Sequence, residues 1–168
     1  FDDYRQMIMQ VRPDVLVVAA PLHISREFMR TAIQEGTNII KLVPAGLDFE
    51  SVADTIRLAR KYKVRFLVAD TCSALPGYAR LAEYIKSRPA GEFHLLTSVC
   101  NFPGEMDDEE NRWLSDPALA GGGVMLRNCY GLLNVIIRIL GLPEKVYSLN
   151  TNHAPDRKQR LSITEDTA

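Results

Sequence analysis

Four residues carry reactive side chains and lie within predicted strands and helices or at their ends. Lys41 lies in the short apolar run NIIKLV, and a lysine withdrawn from water has a lowered pKa and can act as a base. His23 follows Pro21 after another such run, and an imidazole suits acid–base chemistry near neutral pH. Arg127 and Tyr130 stand where a long apolar helix is predicted to begin. A guanidinium can hold a carboxylate or phosphate with two hydrogen bonds, and a phenol can donate a proton.

Each of these residues also has a purely structural interpretation. Lys41 could reach solvent or pair with a carboxylate, and His23 could be an exposed loop residue. Arg127 could pair with the acidic segment Asp107–Glu110, which by itself is typical of a solvated charge run. The histidines are not spaced with cysteine or aspartate as in a metal site, so no metal is predicted.

Strands and helices alternate in the first half of the chain. Three β-branched runs with almost no polar alternation are typical of strands buried on both faces of a parallel sheet, and they occupy residues 15–20, 38–43 and 64–69. Helices are predicted over 4–10, from an N-cap at Ser25 to Gly36, and after an N-cap at Asp48. This order predicts right-handed crossovers and a doubly wound parallel sheet.

The second half of the chain has an α+β pattern. Its predicted elements are a helix from Pro76, a half-exposed strand over 93–102, a long helix over 125–140, and strands over 146–152 and 161–168. The fold class is therefore α/β, the C-terminal part of a Rossmann-type doubly wound parallel sheet followed by an incomplete α+β open-sheet domain. The predicted domains are 1–72, a partial dinucleotide-binding unit, and 73–168, a partial substrate or oligomerisation unit.

Composition excludes several classes of function. The 20 Lys+Arg residues against 21 Asp+Glu give a net charge of −1, which provides no general attraction to nucleic acid or to an anionic membrane. The longest apolar stretch, 132–142, is far too short to span a bilayer. Three widely spaced cysteines indicate the reduced thiols of a cytoplasmic protein. No G-x-G-x-x-G opening precedes the sheet, and we expect the chain to be an internal fragment of a longer protein.

Three segments give the sequence a family resemblance. PDVLVVAAPLHIS, EGTNIIKLVP and RWLSDPALAGGGVMLRN resemble the Gfo/Idh/MocA oxidoreductases, which use NAD or NADP to oxidise or reduce sugars, inositols and related polyols. The resemblance implies a nicotinamide cofactor, a small sugar or polyol substrate and a homo-oligomer. It also implies cofactor contacts from the ends of the first two strands, at Ala19, Ala20, Pro21, His23, Val43 and Pro44.

The residues that carry the reaction in that family are replaced here. The lysine of the family's Glu-Lys-Pro segment corresponds to Val43, and the aspartate and histidine that follow the glycine triplet correspond to Arg127 and Gly131. Hydride transfer from an alcohol requires a base within about 2.6–3.2 Å of the hydroxyl, and valine and glycine cannot serve. The candidate catalytic residues are then Lys41, His23 and Tyr130, with Arg127 and Tyr130 binding substrate.

Three functions follow from this combination. The first is an NAD(P)-dependent oxidoreductase of a sugar, inositol or polyol with a rearranged proton relay. The second is an NAD-dependent glycosidase, because the glycosidases that resemble this family also carry valine before that proline. The third is a non-catalytic relative that binds a ligand or a partner.

Overall fold

The computed structural model describes residues 1–87, 91, 94–101, 112–152 and 164–167. Three strands form one sheet: β1 (Val15–Val18), β2 (Asn38–Leu42) and β3 (Phe66–Ala69). Seven helices are described: α1 (Tyr4–Val11), α2 (Leu22–Gln34), α3 (Phe49–Tyr62), α4 (Pro76–Ser87), α5 (Pro117–Ala120), α6 (Val124–Arg127) and α7 (Tyr130–Leu140). Two 3-10 turns, Cys72–Ala74 and Arg112–Ser115, complete the described elements.

The sheet is parallel with the order β1-β2-β3, as the buried runs predict. Val18 is paired with Lys41, and Lys41 is paired with Val68. Helices α2 and α3 connect the strands as crossovers and contact each other. The predicted fold class is confirmed, with a parallel sheet and helices that form part of a Rossmann-type unit.

The hydrophobic core lies between one face of the sheet and the helices. Its buried members are Ile8, Val18, Met29, Ala32, Ile33, Ile39 and Ala59. Side chains of successive strand residues point to opposite faces, so Val15, Val17 and Leu67 belong to the other face, where they are 46%, 59% and 57% exposed. The helices of the described residues therefore cover one face of this sheet, and the prediction that its strands are buried on both faces is wrong for this chain.

Local chemistry sets several of the helix boundaries. Asp48 caps α3 as predicted, because its side chain accepts from the Ser51 backbone N–H at 2.7 Å in a capping box. The predicted N-cap at Ser25 is wrong. Helix α2 begins at Leu22 after Pro21, and the Ser25 hydroxyl donates to the Leu22 carbonyl inside the first turn. A proline already fixes its own φ, which suits the start of a helix.

The predicted elements of the second half are only partly formed. The described residues 94–101 and 146–150 form no strand, and one antiparallel bridge joins Thr151 to Thr167. The predicted long helix is broken into α6 and α7 at Asn128 and Cys129. Residues 102–111 and 153–163, which include Asp107–Glu110, lie outside the described residues.

In the described segments no single helix is long and apolar enough to cross a membrane. One pair of helical segments together has the length and apolar composition of a membrane span, but the two segments are bent by 57° relative to each other. They are Pro117–Arg127 and Tyr130–Leu140.

Candidate functional site

A cavity of about 510 Å³ lies where the carboxyl ends of the strands meet the helices of the second half. Its apolar wall includes Leu47, from the loop after β2, and side chains of α6 and α7. Its polar wall consists of Tyr130, Asn134, Asn150 and Glu165. Cavities of roughly 300–1,000 Å³ hold small molecules, and parallel sheets bind ligands at this edge. The cavity is therefore the candidate ligand site.

Glu165 connects the last described segment to the wall of the cavity. Its carboxylate accepts hydrogen bonds from the backbone N–H groups of Gly123 (2.9 Å) and Met125 (3.3 Å). Its carbonyl oxygen also accepts from the N–H of Val124 at 3.1 Å. These hydrogen bonds between residues far apart in the sequence fix the first turn of α6. The spacing of residues in the sequence does not predict such bonds.

Asp70 follows β3 directly and contacts two elements of the site. Its Oδ1 accepts from the backbone N–H of Cys72 at 3.0 Å, and its Oδ2 accepts from Asn134 Nδ2 at 2.5 Å. Tyr130 lies one turn before Asn134 on α7. Burial, and then the negative charge of Asp70, raises the pKa of the Tyr130 phenol, so Tyr130 is a protonated donor at neutral pH.

Gly131, which the sequence resemblance predicts to replace a histidine, is buried against the turn after β3. A Cβ added there would lie 2.6 Å from Cys72 Cβ, closer still to Cys72 Sγ, and 3.5 Å from Asp70 Oδ1. Carbon atoms in favourable contact are about 3.5–4.0 Å apart. Cys72 therefore occupies the space into which a side chain at position 131 would grow.

Lys41 is buried, with 2% of its surface exposed. It shares the core face of the sheet with Ile39, and its ammonium donates to the Leu42 carbonyl at 2.8 Å. Burial lowers the pKa of Lys41, as the sequence predicts, while the alternative in which Lys41 reaches solvent is wrong. Lys41 is not among the residues that line the cavity.

His23 is half-buried in the first turn of α2, so its placement in an exposed loop is wrong. Its ring packs against Trp113 with a centroid distance of 5.4 Å, and its buried Nδ1 has no hydrogen-bond partner among the described residues. Arg127 ends α6, and its Nε donates to Asn128 Oδ1 at 3.4 Å. Neither His23 nor Arg127 lines the cavity, whereas Tyr130 does.

The predicted cofactor contacts are placed at one edge of the sheet. Ala19, Ala20 and Pro21 follow β1, and Val43 and Pro44 follow β2, with a cis peptide bond between the latter two. Since parallel strands present their carboxyl ends at the same edge, these residues lie at one edge of the sheet, and none of them lines the cavity. Their role in binding a cofactor stays a prediction.

Sequence reasoning missed four polar residues of the site: Asp70, Asn134, Asn150 and Glu165. A signal existed for Asp70, because a carboxylate directly after a buried parallel strand lies at the ligand-binding edge. Asn134 only interrupts an apolar stretch, and Glu165 contacts Gly123 and Met125 from 42 and 40 positions away in the chain.

Comparisons with known proteins agree with this fold. No family model matches the chain. One curated relative is D-xylose 1-dehydrogenase (NADP(+)) 2 of Haloferax volcanii, which is 24% identical over 153 residues, or 90% of this chain and 46% of that protein. The chain thus spans about half the length of the curated relative it matches.

Two solved structures have a similar fold. The WlbA dehydrogenase from Bordetella pertussis, in complex with NADH and UDP-GlcNAcA, is similar with a TM-score of 0.85 at 18% identity, over 99% of this chain and 46% of that one. Levoglucosan dehydrogenase, in complex with NADH and levoglucosan, has a TM-score of 0.76 at 19% identity, over 92% of this chain and 42% of that one. The resemblance to the Gfo/Idh/MocA-type NAD-binding oxidoreductases is therefore confirmed, as a shared fold over less than half of each relative's length.

Proposed function

We propose that the whole protein is an NAD(P)-dependent oxidoreductase of a sugar, inositol or related polyol, and that the cavity beside Tyr130 holds the substrate. The observation that carries the proposal is the position of this cavity, at the carboxyl edge of a parallel sheet of the shared fold. A relative active on D-xylose and a similar structure that contains NADH and levoglucosan support the substrate class and the cofactor class.

The polar wall suits a hydroxylated ligand. Tyr130 is a protonated donor, Asn134 offers an amide, and Glu165 offers carboxylate oxygens. A polyol hydroxyl both donates and accepts, so it can bond to each of these groups. The nicotinamide would supply the hydride chemistry, and Ala19–Pro21 with Val43 and Pro44 are the residues that would lie against it. Of the three candidates for moving the substrate proton, Tyr130 lines the cavity, whereas Lys41 and His23 do not.

The test is the cofactor content of the whole protein after purification. The proposal predicts the near-ultraviolet absorbance of reduced nicotinamide, together with turnover of a neutral polyol such as D-xylose or myo-inositol. A matched Tyr130→Phe variant keeps the ring and removes the donor, and it should retain the cofactor while turnover falls. Protein that neither carries nor binds NAD(H) or NADP(H) would refute the oxidoreductase.

A non-catalytic binding protein is the second candidate, and Gly131 is the observation that favours it. The position that corresponds to the family histidine has no room for a side chain beside Cys72. Such a protein would bind the polyol in the same cavity and would not turn it over, whichever cofactor is present. Ligand binding measured by calorimetry, with and without NAD(H), distinguishes the two candidates.

A further inference from the structure

We propose that Asp70 is a positioning residue of the candidate site: it holds the Asn134 amide so that the Asn134 carbonyl oxygen faces the cavity as an acceptor for a ligand hydroxyl. The inference rests on the proposed function to the extent that the ligand carries hydroxyl groups. Asp70 itself is not among the cavity-lining residues, whereas Asn134 is.

Asp70 is held by its own backbone surroundings. It directly follows β3, and its Oδ1 accepts from the N–H of Cys72 at 3.0 Å in the following 3-10 turn. This bond leaves Oδ2 directed at α7, where Asn134 Nδ2 donates to it at 2.5 Å. The carboxylate is therefore held by the strand end and the turn as well as by its contact with α7.

The chemistry of this contact fixes the orientation of the Asn134 amide. An ionised carboxylate only accepts hydrogen bonds, so the NH₂ group of Asn134 must face Asp70. The amide oxygen then points away from Asp70, and Asn134 lines the cavity. Charge-assisted bonds of this kind are among the stronger hydrogen bonds in proteins.

Tyr130 completes a donor–acceptor pair. Residues four apart on a helix share a face, and both Tyr130 and Asn134 line the cavity. The same Asp70 charge contributes, after burial, to keeping the phenol protonated. The wall thus presents one donor and one acceptor a helical turn apart, which matches a ligand hydroxyl that donates at one place and accepts at another.

The experiment replaces the hydrogen-bond acceptor at position 70 by a donor of nearly the same shape. In Asp70→Asn, the new amide NH₂ faces the NH₂ of Asn134, and the Asn134 amide turns over so that a donor replaces the acceptor in the cavity. Binding of myo-inositol and D-xylose, measured by calorimetry, should weaken about 10- to 100-fold, the loss expected for one hydrogen bond. Asp14→Asn, an exposed aspartate with no described side-chain bond, is the matched control and should bind like wild type.

The double variant Asp70→Asn/Asn134→Asp separates positioning from structural support. The amide introduced at position 70 donates to one oxygen of the carboxylate introduced at position 134, and the other oxygen of that carboxylate is again an acceptor in the cavity. Binding should return to within a few-fold of wild type. If Asp70→Asn binds normally while its thermal unfolding is unchanged, or if the folded double variant binds no better than the single one, the proposal is overturned.

A ligand-free measurement keeps the test independent of the proposed function. The side-chain amide protons of Asn134, observed by ¹⁵N NMR, should shift in Asp70→Asn, and the pKa of Tyr130, followed by ¹³C NMR of its ring, should fall. Unchanged Asn134 signals would refute the contact itself. If wild-type protein binds neither polyol but both NMR changes occur, the proposed substrate class fails and the positioning role of Asp70 stands.

Discussion

Replacing Gly131 with alanine tests how tightly helix α7 packs against the turn after β3, beside the candidate site. Gly131 is the second residue of α7, and Gly77 is the second residue of α4, so the two glycines occupy equivalent helical positions. An added Cβ meets nothing within 4 Å at Gly77, but at Gly131 it would lie 2.6 Å from Cys72 Cβ. Comparing the two alanine variants therefore separates the effect of crowding on stability from the effect of helix propensity.

The expected magnitudes follow from these surroundings. Alanine in place of glycine stabilises a helix by up to about 1 kcal/mol, and Gly77→Ala should show that gain. Gly131→Ala receives the same gain but also incurs overpacking, which costs about 1–3 kcal/mol in a well-packed region. Gly131→Ala should therefore be less stable than Gly77→Ala by about 1–3 kcal/mol.

Urea unfolding of both variants measures this difference, provided that the slope of the transition is unchanged. A second pair of variants in a Cys72→Ala background completes a double-mutant cycle. Removal of Sγ relieves the closest contact and leaves the Cβ, so part of the Gly131→Ala penalty should disappear. A Gly131→Ala protein as stable as Gly77→Ala, or a penalty that is independent of Cys72, would refute the packing argument.

Four further predictions concern cofactor binding, catalysis, ionisation and assembly. These 168 residues alone should bind NAD(H) more weakly than micromolar, because they contain no G-x-G-x-x-G turn to hold the pyrophosphate, and a calorimetric Kd at or below micromolar would contradict this. Lys41→Met should lower turnover of the whole protein by about 10²–10⁴-fold if Lys41 is the base. Because burial depresses the pKa of Lys41 below 10.5, wild type should also gain stability relative to Lys41→Met as pH rises through the folded-state pKa toward 10.5, and a pH-independent difference in unfolding free energy would contradict the burial cost. The whole protein should form a homo-oligomer that covers apolar side chains such as Leu95 and Val99, which are 81% and 78% exposed, and a strictly monomeric species in sedimentation would count against it.

The sequence by itself determined the parallel sheet. Continuous β-branched runs identify the strands and their parallel pairing, although only one face of the sheet is buried. Asp48 and Gly36 bound their helices through short-range hydrogen bonding and backbone conformation that act within a few residues. The same local information places Lys41 on a strand in the core. Its burial and its lowered pKa follow from that placement.

Only the tertiary structure determined which distant residues bond to one another along the polar wall of the cavity. It also determined which of the predicted strands of the second half form. The contacts of Asn134 with Asp70 and of Glu165 with Gly123 join residues 64 and 42 positions apart, and no periodicity encodes such pairs. The weak apolar alternation over 93–102 indicated a strand, but a strand forms only when a neighbour supplies its hydrogen bonds, and the described residues 94–101 form none. Residue types specify what an isolated segment can become, and the positions of distant backbone groups decide which of those possibilities is realised.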